Sequence, residues 1–163
     1  MQAHFEEHIV ANPLWGGIAL WEFTHQYESH RVPIRYPSLL LFLPVLPILL
    51  HRPSAKRLQR MFFDSGITKF LVDDPTVILN LQDRITAFAP TTLRSINIAC
   101  AAGLLEKVDG AAGLSFRCKL QSLPNSIQPN GIAKVTALAA RRLGAFFRDE
   151  TPVQLEAKLR ISF

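Results

Sequence analysis

The stretch NPLWGGIALWEFTHQY, residues 12–27, constrains the chain more than any other, because it predicts a helix that is apolar on two sides. Asn12 is a favoured N-cap, and Pro13 at the first helical position gives up an N–H that would have no intrahelical acceptor. Helical stepping puts Leu14, Ile18 and Trp21 in one stripe and Ala19, Leu20, Phe23 and Tyr27 in a second, roughly opposite. A helix with two apolar faces has to be covered on both. Glu22 falls between the stripes, where full enclosure would demand a partner or a proton, so a half-exposed carboxylate at the stripe edge is expected. Gly16 and Gly17 each cost about 1 kcal/mol relative to alanine within a helix, which makes sense where another backbone comes close or the first turn is distorted.

A single domain of 163 residues can bury a sizeable core, and 48% hydrophobic against 19% charged residues excludes a disordered chain. Lys and Arg number 18 against 13 Asp and Glu, so the net charge of +5 is compatible with nucleic acid nearby without requiring contact. The 11 prolines and 11 phenylalanines, with so little charge, imply exposed apolar surface of the kind that meets another subunit. Cys100 falls in a predicted helix and Cys118 in a predicted strand, without a CxxC pair, as buried thiols of a reducing compartment do. The opening MQAHFEEHIV is acidic and lacks an apolar core region, so no signal peptide is expected and the protein is placed in the cytoplasm.

Residues 4–8, HFEEH, match the H-x-x-E-H pattern in which His4 and His8 would hold zinc, but a polar N-terminal turn is the expected reading and no metal or cofactor is assigned. A polar connection with His30, Arg31 and Arg35 leads to YPSLLLFLPVLPILL, residues 36–50, too short and too proline-broken for a membrane span. Pro44 and Pro47 are expected to confine the helix there and leave residues 48–50 extended. Residues 51–60 are the densest basic stretch. A short helix starting at Pro53 and Ser54 would set Lys56 and Arg60 on one face, and Arg52, Lys56, Arg57 and Arg60 are candidates for DNA or an acidic partner, with a solvated face as the plainer alternative.

Between residues 66 and 118 the pattern predicts helix 67–72, a helix opened by Asp74-Pro75 and ended by Pro90, and a third capped by Thr91 or Thr92 with Leu93, Ile96 and Cys100 inward. Strands 105–108 and 114–118 then flank a turn at Asp109-Gly110 and Gly113, which makes a winged-helix-like arrangement. As a DNA reader it is poorly equipped, since the third helix offers only Arg94 and Asn97 and the wing only Lys107, Arg117 and Lys119. Residues 121–131 read as a loop. A helix follows, with Ile132, Val135, Ala139, Leu143 and Phe146 inward and Lys134, Arg141 and Arg148 outward. Thr151-Pro152 caps a last helix, and residues 160–163 read as a terminal strand. The class is mainly α (α+β), one domain with a helical region at 1–63, the winged-helix-like module at 64–120 and C-terminal helices at 121–163.

No nucleophile elbow, phosphate loop or paired acid and base stands out, and His25, His30 and His51 lack a local Ser or Cys nucleophile signature, so an enzyme is not expected. Partner-interface candidates are Trp15, Trp21, Glu22, Phe23 and Tyr27, although core packing is the expected role of Trp15, Trp21 and Phe23 on a helix apolar on two sides, and Arg141 and Arg142 join the cationic candidates.

The N-terminal half resembles the middle component of three-component ABC ATPase systems, through Asn12, Pro13, Glu22, Tyr27, Pro37, Pro44, Pro47, His51 and Arg52, and the later RRLGAFF of residues 141–147 fits the same layout. The resemblance implies a noncatalytic adaptor of a bacterial anti-phage or anti-plasmid system of the Lamassu kind. Its partners would be an SMC-like ABC ATPase and a nuclease or other effector, with DNA reached through the complex and no membrane. A winged-helix DNA-binding regulator is the alternative function.

Overall fold

The computed structural model describes residues 13–29, 33–110 and 113–163; the candidate ligands His4 and His8, the cap Asn12, and His30 and Arg31 of the connection lie outside them. Helix α1, Pro13–Glu28, runs through the interior, and each of its two stripes meets a separate apolar cluster. Ala19, Leu20, Phe23 and Tyr27 belong to the main core, while Ile18 and Trp21 join Ala99, Leu104, Leu105, Cys118 and Leu123 in a smaller one. The two-sided reading of this helix therefore holds, residue by residue.

The apolar run folds as two short helices, α2 (Leu39–Phe42) and α3 (Val45–Leu50). Residues 48–50 are helical rather than extended, because Pro47 sits in the first turn of α3, where a missing N–H breaks no intrahelical bond. Helix α4, Arg52–Leu58, ends two residues before Arg60, which lies in the following turn rather than on the helix with Lys56. Helix α5 spans Gly66–Asp73, and Pro75–Ile78 forms only a 3-10 turn.

The largest correction concerns Pro90. Helix α6 is continuous from Leu81 to Ala101, so the two helices expected on either side of Pro90 are one element. It starts at Asn80, which takes the left-handed conformation (φ 54°). Pro90 and Thr86, whose carbonyl loses its donor, are both exposed, so that carbonyl is open to solvent. The candidate recognition helix is thus the second half of a longer core helix. Arg84, on the first turns of α6, donates to the Pro47 carbonyl at 2.8 Å and to the Val77 carbonyl, which fixes α6 against α3 and the 3-10 turn.

Strands β1 (Leu105–Gly110) and β2 (Gly113–Cys118) form the expected antiparallel hairpin, with Leu105 opposite Cys118. Phe116 N–H donates to the Pro37 carbonyl at 3.1 Å, and Ser38 bridges to Ser115, so the segment before α2 lies along β2. Helices α7 (Gly131–Arg148) and α8 (Pro152–Leu159) complete the chain. Thr151 and Gln154 make a reciprocal capping box on α8. Residues 160–163 are not a strand. Arg160 is left-handed (φ 55°), and the end is held by side chains, Ser162 N–H donating to Gln82 Oε1 and Phe163 N–H to Glu156 Oε1. Ile132, expected inward on α7, is 51% exposed, since it lies in the first turn beyond the packed part of the helix.

Two glycines set the helix spacings. A Cβ on Gly17 would come within 3.1 Å of the Ser95 carbonyl and 3.2 Å of Ala99 Cβ, which is the close approach of α1 to α6 that its sequence anticipates. Gly17→Ala is expected to cost about 1–2 kcal/mol, as mild overpacking does, measured by urea unfolding. Gly144 is tighter: a Cβ there would sit well inside van der Waals contact of the Phe23 carbonyl oxygen and 3.2 Å from Gln26 Cβ.

Candidate functional site

Glu22 is where the sequence expectation fails most usefully. It is 2% exposed rather than half-exposed, and Arg141 of α7 reaches it through two bonds, Nε at 2.6 Å and Nη2 at 3.1 Å. A planar guanidinium matches a carboxylate in this two-point fashion. Burying Glu22 between the stripes is possible because α7 crosses α1 closely enough, through Gly144, to deliver Arg141. The hydrogen bond to Glu22 is also what raises the Arg141 pKa above its ordinary value. Arg141 faces outward as expected, with 44% side-chain exposure, and still spends its charge within the chain. Of the other interface candidates, Trp21, Phe23 and Tyr27 are buried and Trp15 is partly buried. Trp21 Nε1 donates to the Leu120 carbonyl at 2.8 Å, and the Phe23 ring meets Phe42 and Phe147 edge-on at 5.6 and 5.5 Å. These rings are core of this chain.

Beside the ion pair, the polar edge of α1 borders two adjoining clefts that share His25 and Gln121. One, of about 460 Å³, is lined by Glu28, Tyr36, Glu106, Arg117 and Lys119 among others; the second, of about 280 Å³, includes Trp21, Glu22, Gln128 and Arg141. Glu28 Oε1 accepts the Cys118 N–H at 2.8 Å, which ties the end of α1 to the end of β2. Burial raises the Glu28 pKa to about 7 against the opposing pulls of that N–H and of Arg117. Because the folded state holds this proton from 4.5 up to about 7, Glu28 withdraws stability as pH rises through that window. Glu28→Gln keeps an acceptor for Cys118 and removes the titration. Its half-open position reduces the effect to on the order of 1 kcal/mol. Melting temperatures of wild type and variant should coincide near pH 4.5 and separate by pH 7.5, with the variant higher. Burial likewise pushes the Cys118 thiol up, which makes it an inert core group.

His51, Ser54 and Asp74 come together, a grouping that sequence reading does not reveal because Asp74 is 20 residues from Ser54. The wiring is not that of a nucleophilic triad. Ser54 Oγ donates directly to Asp74 Oδ2 at 2.5 Å and shares a short hydrogen bond with His51 Nδ1, whereas a triad puts the carboxylate on the imidazole. Ser54 is fully buried, Asp74 also accepts from Thr76 at 2.6 Å, and the cluster clamps α4 to the 3-10 turn. Burial lowers the His51 pKa, keeping the ring neutral in that clamp.

The basic stretch divides by partner. Arg57 donates to Asp73 Oδ2 at 2.6 Å, and Lys69 reaches the same oxygen at 3.1 Å; the Arg57 bond is the chief reason that the Asp73 carboxyl lies below the usual range. Arg52 is half-buried, while Lys56 and Arg60 are exposed. Arg142 is half-buried; its Nε donates to the Met61 carbonyl at 3.0 Å, and its guanidinium lies 4.1 Å from the centre of the Phe63 ring. Sequence reading passes over Phe62 and Phe63 as part of an apolar composition, yet Phe62 is 79% and Phe63 42% exposed. No cluster of three or more His, Cys, Asp or Glu able to hold a metal occurs among the described residues. No single described helix is long and apolar enough to cross a membrane.

The fold and these surfaces define a small, mainly helical protein whose polar groups are spent largely on holding helices together, and which presents aromatic and cationic side chains outward. The chain belongs to the ABC-three component (ABC-3C) system Middle Component 3 family, whose model matches residues 1–163. Neither a curated protein nor a solved structure matches it.

Proposed function

We propose that this chain is the noncatalytic adaptor of a bacterial anti-phage or anti-plasmid complex of the Lamassu kind. It joins an SMC-like ABC ATPase to a nuclease-type effector in the cytoplasm and holds the effector inactive until DNA is sensed. Membership of a middle-component family over the whole chain is the observation that carries this reading. The exposed Phe62, Phe63, Val72 and Leu79 support it, since large apolar side chains left in water mark surfaces that meet another protein. The wiring of His51, Ser54 and Asp74 as a clamp fits a chain that performs no chemistry itself. Control of an effector by DNA engagement requires two states of the complex with different contacts to this subunit.

The competing function, a DNA-binding regulator, draws less support because the exposed face of the second half of α6 offers a single cation, Arg94, beside Asn97. The test is co-purification of the tagged chain expressed from its native operon, with mass spectrometry of what stays bound through high salt. Recovery of a coiled-coil ATPase together with a nuclease-like protein is the expected result. A chain that emerges alone and monodisperse overturns the adaptor reading, and saturable duplex binding by that lone chain, with a steep salt slope, would establish the regulator instead.

A further inference from the structure

The turn after α4 points two adjacent phenylalanines outward while the residue before them, Met61, is buried at 7% exposure. The turn is well fixed. Met61 N–H donates to the Leu58 carbonyl, Ser65 N–H to the Phe62 carbonyl, and the Met61 carbonyl accepts from Arg142 of α7. Fixing the backbone here forces Phe62 into solvent and seats Phe63 under the Arg142 guanidinium. Around them, the chain from residue 56 to 73 carries Lys56, Arg57, Arg60 and Lys69 against Asp64 and Asp73, and Asp73 is already held by Arg57 and Lys69, which leaves Lys56 and Arg60 facing only Asp64. Helix α5, tied to α4 through that ion pair, adds Val72 at 74% exposure. Aromatic rings and arginine at a rigid site, with unneutralised lysine and arginine at the rim, have the make-up of an interface hot spot.

We infer that the Phe62–Phe63 turn, rimmed by Lys56, Arg60 and Arg142, docks an acidic protein surface that offers an apolar pocket for Phe62, on one of the other two components of the ABC-3C system. This rests on the adaptor reading and deepens it by naming the surface and the chemistry of its partner. Charge complementarity selects a protein over a nucleic acid strand. Discrete carboxylates can be placed to avoid Asp64, which directly follows Phe63, whereas a phosphate backbone running along the turn would meet it, and one face of the Phe63 ring is already taken by Arg142.

The experiment co-expresses the full chain with the other two operon components and compares wild type with Phe62→Ser, Arg60→Glu and the charge-neutral control Arg60→Gln. Thermal melts of each chain alone establish that it folds, as these exposed positions should allow. With wild type retaining its partners, Phe62→Ser is expected to weaken the interaction with one identified component at least tenfold. Arg60→Glu should weaken it more than Arg60→Gln, by a factor that shrinks as salt rises. Retention of both components by all variants overturns this surface while leaving the adaptor reading intact. A wild-type chain that retains neither component overturns both. Variants that keep the proteins but lose DNA from the complex assign the turn to nucleic acid, and variants that change only self-association of the chain assign it to a second copy; either result sinks the inference.

Discussion

Gly144→Ala is expected to lower stability by about 3 kcal/mol or more, the upper end of what overpacking costs, and to drop the melting temperature by roughly 6–12 °C for a chain of this size. The added methyl would run into the Phe23 carbonyl oxygen, which belongs to a helix backbone and cannot rotate away as a side-chain tip can. Relief requires α1 and α7 to separate, and both carry core phenylalanines, Phe23 and Phe147, whose rings meet at 5.5 Å across that crossing. Separation would therefore loosen the aromatic packing as well, so near-UV circular dichroism should lose intensity in parallel. A variant that melts within 2–3 °C of wild type, about 1 kcal/mol on the same scale, would mean that the crossing is not as tight as described.

Arg141→Ala carries the second large effect, about 3 kcal/mol of destabilisation. Removing one partner of a buried pair leaves the other charge uncompensated, and this outweighs whatever net stabilisation the intact pair provides. Glu22 retains 3% side-chain exposure against 44% for Arg141, so the carboxylate is the group that would be stranded. The low end of the range applies because water already reaches the arginine. Combining Arg141→Ala with Glu22→Gln should recover part of the loss, since a neutral amide costs less to bury than an ion. Urea unfolding of the four members of this double-mutant cycle measures the coupling, and additive losses would refute the argument.

Much of the fold was legible because its signals were local. The stripes of α1, the hairpin from Leu105 to Cys118 and the capped α8 all rest on periodicity, turn residues or a cap within a few positions. What sequence reasoning missed depended on distance or on solvent. A helix tolerates Pro90 more readily where the carbonyl that loses its donor is open to water, and whether that face is exposed is settled by tertiary packing. Glu22 finds Arg141 119 residues away, and nothing near Glu22 in the chain announces it. At the candidate surface, charge counting found Lys56, Arg60 and Arg142, but not Phe62. Phenylalanine is core by default, and only the fixed carbonyl and amide bonds of its turn reveal that this one faces outward.

The two apolar clusters on opposite sides of α1 share walls, since α6 contributes Ile96 to the larger and Ala99 to the smaller, and Cys100 touches both. Neither cluster can open without baring the far side of a helix that the other needs, so the hairpin and the main core should melt as one cooperative unit. In hydrogen exchange, the amides of Cys118 in the smaller cluster and Phe146 in the larger should then report the same opening free energy. A force or a partner that tugs on one side of the molecule would be felt on the other at nearly full strength, which makes the chain behave as a stiff spacer between whatever it joins.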